Sequence, residues 1–80
     1  MSGCTIQKRE SANYNGAYTG FLANTEDECL MQCIDKYPEC VAVDFNLENH
    51  ACSAHNRQSG IGRWQTNRCC NRYEIICDRT

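Results

Sequence analysis

Hydrophobic positions along this chain change period once, and the change marks two kinds of element. From Thr25 to Lys36, Leu30, Cys33, Ile34 and Tyr37 recur at the spacing of one helical face, with Cys29 beside it. Thr25 is a capping residue and Glu28 follows three positions later, which completes a capping box. Glu26, Asp27 and Glu28 place negative charge at the positive end of the helix dipole. Pro38 ends the helix. From Cys40 the period becomes two: in "CVAVDFNL", Val41, Val43, Phe45 and Leu47 point one way and Ala42, Asp44 and Asn46 the other. That alternation predicts a half-buried strand. "ENH" reads as a turn, "ACSAH" as a returning strand and "NRQSGIG" as a loop. "RWQTN" and "RYEIIC" are two further strand candidates, the second carrying Tyr73, Ile75 and Cys77 in alternation. Upstream, "CTIQKR" at 4–9 suggests a short strand, "SANYNGAYTG" turns and loop, and Phe21 with Leu22 a short extended piece. One helix with four to six short strands predicts an α+β fold, the helix packed on an antiparallel sheet.

Composition restricts the setting. Eighty residues with no internal repeat and no low-complexity linker predict a single domain over 1–80. A core of that size is marginal alone and needs disulfides or metal beside it. Eight cysteines reach the density of a disulfide scaffold, and their even number lets every thiol pair. Disulfides persist in oxidising compartments, so a secreted protein or the extracellular portion of a surface protein is expected. Met1 directly before "SGC" reads as an initiator placed ahead of a mature domain. The first twenty residues lack the apolar stretch of a signal peptide. No apolar run approaches membrane-spanning length, and no N-x-[ST] sequon occurs.

The spacing of Cys29 and Cys33 raises three roles: a metal site, a redox pair or two staples on one helix. Helical residues four apart hold their Cβ atoms about 5–6 Å apart, whereas a disulfide needs about 3.5–4.5 Å. A Cys29–Cys33 bond is therefore disfavoured. The spacing is also not the C-x-x-C of thioredoxin-like redox sites. Cys29, Cys33, Cys40 and Cys52 do not form the paired knuckles of a zinc site.

The run Cys29-x₃-Cys33-x₆-Cys40-x₁₁-Cys52, with hydrophobic alternation after Cys40, resembles the PAN/apple domain family. So does the order of an early cysteine, a capped helix with C-x-x-x-C, "CVAVDFN", a turn, "AC" and a late "YEIIC". The resemblance spans Cys4 to Cys77. It implies that the helix cysteines staple the helix to the central hairpin as Cys29–Cys52 and Cys33–Cys40, and that Cys4–Cys77 joins the two ends. Cys69 and Cys70 depart from the six-cysteine pattern. A vicinal bond, a link to another chain that makes a covalent dimer, and a rearranged terminal bridge are all open, with an intrachain solution favoured.

Candidate chemistry is sparse. "HACSAH" holds His50, Cys52 and His55, but on a strand Cys52 faces away from its neighbours at odd offsets, and solvated histidines are the plainer reading. No catalytic triad, phosphate loop or paired-carboxylate arrangement is evident, so no enzyme, cofactor or metal is expected. The formal charge of −2 names no partner, and neither nucleic acid binding nor membrane insertion is expected. Its distribution is uneven: residues 24–48 carry −6 and residues 56–80 carry +3. "GRWQTNRCCNR" gathers Arg63, Arg68 and Arg72 around Trp64, with Arg57 nearby. Arginine matches sulfate and carboxylate geometry, and tryptophan offers a stacking face. Against this, Trp64 could fill the core and the arginines could be a solvated surface. Tyr14 and Tyr18 are a second candidate surface or simply loop packing. The resemblance implies non-enzymatic recognition of an extracellular protein or glycan. Protein–protein interaction or adhesion comes first, lectin-like or sulfated-glycan binding second, and a free-standing secreted toxin or inhibitor third.

Overall fold

A computed structural model of the chain describes residues 3–77, with only the backbone of Ser59. Met1, Asp78 and Arg79, which enter the initiator and charge readings above, lie outside the described residues. The elements run β1 (Cys4–Asn13), β2 (Thr19–Leu22), α1 (Glu26–Asp35), β3 (Ala42–Asn46), β4 (Ala51–His55), α2 (Arg57–Gly60) and β5 (Gln65–Cys77). The five strands form one sheet in the order β1-β5-β3-β4-β2, with every pairing antiparallel. The α+β expectation holds at this level: a disulfide-rich domain with a helix laid on an antiparallel sheet.

Helix α1 begins where its sequence signals place it. Thr25 is the N-cap, and its Oγ1 accepts the Glu28 backbone N–H at 3.1 Å. Its buried residues are Cys29 and Cys33, while Leu30, Ile34 and Tyr37 pack around the rim. The face they cover is built from Val43 and Phe45 of β3, Cys52 and Ala54 of β4, and Ile75 of β5. Val43, Phe45 and Ile75 are hydrophobic positions that alternation put on one side of their strands, and Cys52 and Ala54 of β4 join them.

Four expectations change. Strand β1 runs beyond the short strand read at 4–9 to Asn13, into the segment read as turns and loop, because β5 is long enough to pair with it there. Strand β3 is not half-buried: Ala42, Val43, Asp44 and Phe45 are all inaccessible, because β3 is the central strand and its polar face is roofed by other polar groups. The two strand candidates after residue 63 are one continuous strand, β5, long enough to pair with both β1 and β3. The segment read as the loop "NRQSGIG" contains the single turn α2, capped by Asn56, whose Oδ1 accepts the Gln58 N–H at 3.2 Å. α2 ends on Gly60 because the backbone there lies against the sheet. A Cβ at Gly60 would meet Val41 Cγ2 at 2.7 Å.

Candidate functional site

All eight cysteines are paired. The bonds are Cys4–Cys77, Cys29–Cys52, Cys33–Cys40 and Cys69–Cys70. Cys29 and Cys52 join α1 to β4 with Cα atoms 5.8 Å apart, and Cys33 reaches Cys40 just past the helix at 5.2 Å. The first three are the pairs that the family resemblance implies. The fourth is the vicinal alternative for Cys69 and Cys70, which leaves neither thiol free for a second chain. Cys52 is committed to its bridge. His50 sits in the turn before β4, at φ 64°, with its ring 5.6 Å from Phe45. "HACSAH" thus brings no thiol–imidazole pair together.

The other face of the sheet carries polar groups that alternation had pointed toward solvent. In register, Asp44 lies between Arg72 of β5 and Ser53 of β4, while Ala42 lies between Glu74 and His55. Arg72 is fully buried. Its Nη1 donates to Asp44 Oδ1 at 2.9 Å, its Nε to Glu74 Oε2 at 3.0 Å, and its Nη2 to the Gly60 carbonyl. Asp44 Oδ2 accepts from His55 Nε2 at 2.7 Å and from the Tyr14 backbone N–H at 2.9 Å. A carboxylate acceptor places the hydrogen on Nε2, which leaves Nδ1 without a hydrogen-bond partner. Gly62 N–H donates to Glu74 Oε2 at 3.0 Å, so the segment after α2 is tied to the same cluster. A buried pair of this kind adds little net stability over apolar packing, but removing one partner costs about 3–5 kcal/mol. The cluster fixes which strands and which loop come together.

Its outer end reaches the surface through Arg9. The Arg9 Nε lies 3.7 Å from Glu74 Oε1, and the guanidinium lies over the Trp64 ring, 4.9 Å from its centre. Trp64 is therefore not a core residue; it is 42% exposed and carries a cation on one face. Arg57, Arg63 and Arg68 are exposed. Arg72, grouped with them from the sequence, points inward, because β5 alternation puts it on the Asp44 face of the interior sheet. Tyr14 is partly buried and Tyr18 exposed; burial, then the nearby Glu39 charge, pushes the Tyr18 hydroxyl up from its ordinary value.

Between the Tyr14 loop and β5 the same face opens into a cavity of about 340 Å³. Its wall includes Asn13, Tyr14, Asn46, Ser53, Asn67 and the Cys69–Cys70 bridge. Sequence reasoning put Asn13 in a turn-rich loop and Asn46 and Asn67 on strands, read Asp44 as the polar side of a half-buried strand and His55 as a solvated histidine, and passed over Glu74. The available signal was that Asp44, His55, Glu74 and Arg72 occupy polar positions of strands bounded by other strands. No protein-family model matches the chain, and neither a curated protein nor a solved structure is significantly similar to it.

Proposed function

We propose that the chain is an extracellular recognition module of PAN/apple-like architecture that works by binding rather than by catalysis. Its primary role in this reading is protein–protein interaction or adhesion. The observation that carries it is the commitment of the reactive side chains to structure. Every cysteine is in a disulfide, and His55, Arg72, Asp44 and Glu74 are bound to one another under the surface. The four bridges suit an oxidising compartment, and no helix among the described residues is long and apolar enough to cross a membrane. A recognition module of this kind gains from multivalency. Beads carrying the oxidised domain at high density are expected to adhere to cell surfaces or extracellular matrix, while soluble monomer competes weakly. Failure of dense beads to adhere to either would remove the adhesion reading.

One observation supports a second reading, sulfated-glycan binding. The exposed Trp64 ring with Arg9 stacked on it, flanked in sequence by Arg63, offers an aromatic face beside cations. Binding to a sulfated polysaccharide there would weaken steeply with salt, as exposed charge contacts are screened.

A further inference from the structure

Where β5 ends, the sheet opens a second cavity, of about 200 Å³, which shares no described lining residue with the asparagine-lined one. Its wall is largely apolar. Val41 and Ile75 contribute from the buried core, while Ile61 and Ile76 are 42% and 36% exposed. Scattered surface aliphatics need no explanation, but here two of them stand at one hollow. The polar side chains among its described lining residues are Arg57 and Tyr37. Neither the guanidinium nor the hydroxyl has a hydrogen-bond or ion-pair partner among the described residues. Arg57 is exposed, so it meets the cavity at its mouth. A guanidinium only donates, a phenol can donate, and no described carboxylate lines the wall to compete for them. Apolar walls with unmatched donors and one positive charge fit a ligand that has an apolar body and a single carboxylate.

The wall is fixed before any ligand arrives. Ile61 stands between two tethered glycines: the Gly60 carbonyl accepts Arg72 Nη2, and the Gly62 N–H donates to Glu74 Oε2 at 3.0 Å. The buried polar cluster thus holds an apolar side chain in place on the surface. The Ile75 N–H donates to the Val41 carbonyl at 2.8 Å, and Cys77, also in the wall, is bridged to Cys4. A ligand meeting an ordered wall loses less to the ordering of side chains and loops. The volume lies below the roughly 300–1,000 Å³ of drug-sized sites, so the body is a short alkyl chain or a single ring. A sulfated sugar, polar on every side, would leave the isoleucines uncovered.

We propose that this cavity is a small-molecule site for apolar monocarboxylates, the body covered by Ile61 and Ile76 and the carboxylate paired with Arg57. The site does not depend on adhesion by the domain. The test is a backbone N–H NMR titration of the oxidised chain with hexanoate, benzoate and phenylpropionate, each beside its neutral carboxamide, and with acetate. At least one of the three acids is expected to give saturable shifts at 57–62 and 74–77, half-maximal at about 1 mM. That acid is expected to bind about fivefold more tightly than its carboxamide. Acetate, with almost no body to bury, is expected not to saturate by about 20 mM. Arg57→Gln is expected to remove the acid's advantage and leave the carboxamide's affinity unchanged. Arg63→Gln makes the same change of net charge outside the described wall and is expected to keep that advantage. Ile61→Ser is expected to weaken acid and carboxamide alike. Absence of saturable shifts with every free acid to about 20 mM overturns the proposal. So do equal affinities for acid and carboxamide, acetate that binds as tightly as the larger acids, or equal losses in Arg57→Gln and Arg63→Gln. An acetylated peptide ending in a free leucine carboxylate carries the same chemistry on a protein. If that peptide binds and no free acid does, the site takes a protein C-terminus and the proposal fails. Bead adhesion is read separately, so either reading can fail alone.

Discussion

Glu26 shows how one side chain joins three elements. It lies in the first turn of α1, where a carboxylate suits the helix dipole. Its Oε1 accepts Asn71 Nδ2 at 3.1 Å, its Oε2 accepts the Tyr73 hydroxyl, and Lys8 Nζ of β1 stands 3.7 Å away. Burial pushes the Glu26 carboxyl up, but the hydrogen bonds from Tyr73 and Asn71 and the Lys8 charge more than reverse it, so its pKa falls below the ordinary value. The same contact, after burial itself, raises the Tyr73 hydroxyl. A carboxyl whose folded pKa is depressed contributes stability that is complete above its unfolded value, about 4.3, and is lost as pH falls through the folded one. Glu26→Gln should therefore flatten the acid side of the stability profile. Denaturant midpoints from about pH 6 to about pH 2.5 would fall less steeply in the variant than in the parent chain. Parallel profiles would mean that the contact contributes nothing pH-dependent.

At the level of elements, legibility followed locality. Helix α1 could be read because its cap, its acidic first turn, its apolar period and its stop at Pro38 lie within fourteen consecutive residues. The strands were read less well, because alternation reports which side chains are polar and not what covers them. Asp44 and Arg72 occupy polar positions in β3 and β5, and only the sheet order places them in one buried cluster. The single strand β5 was divided in two because "NRCCN" breaks the alternation; the break is real, but it is a shift of register against β1 rather than an end. The Asn-lined cavity could not be read at all, since its walls come from four separate segments. The shift makes a chemical prediction. Trypsin cleaves after Arg68 and Arg72, so the unreduced chain should release Cys69–Arg72 as a free peptide two hydrogens lighter than its reduced form, by mass spectrometry. Recovery of that peptide cross-linked to another segment, or to a second chain, would refute the vicinal bond.

For the whole molecule, two bridges set two effects against each other. Cys4–Cys77 spans 73 residues and joins the ends of β1 and β5, which are already paired along their length. Its native-state contribution is small, and on the chain-entropy account it acts by restricting the unfolded chain. Cys29–Cys52 spans 23 residues, so on that account it contributes about 1 kcal/mol less. But Cys29 and Cys52 are both fully buried at the contact of α1 with the sheet, whereas Cys4 and Cys77 are only partly covered. Replacing each buried cysteine by alanine removes a sulfur from the core. If each sulfur counts as about one methylene, roughly 0.8 kcal/mol, the pair costs about 1.6 kcal/mol before any cavity term. Packing then outweighs loop length. The Cys29→Ala/Cys52→Ala chain should unfold at lower denaturant than the Cys4→Ala/Cys77→Ala chain, despite its shorter loop, with a gap of about 0.6 kcal/mol before any cavity term. The opposite order would mean that the small core contributes less than the closure of the chain ends, and that the domain is held mainly from its termini.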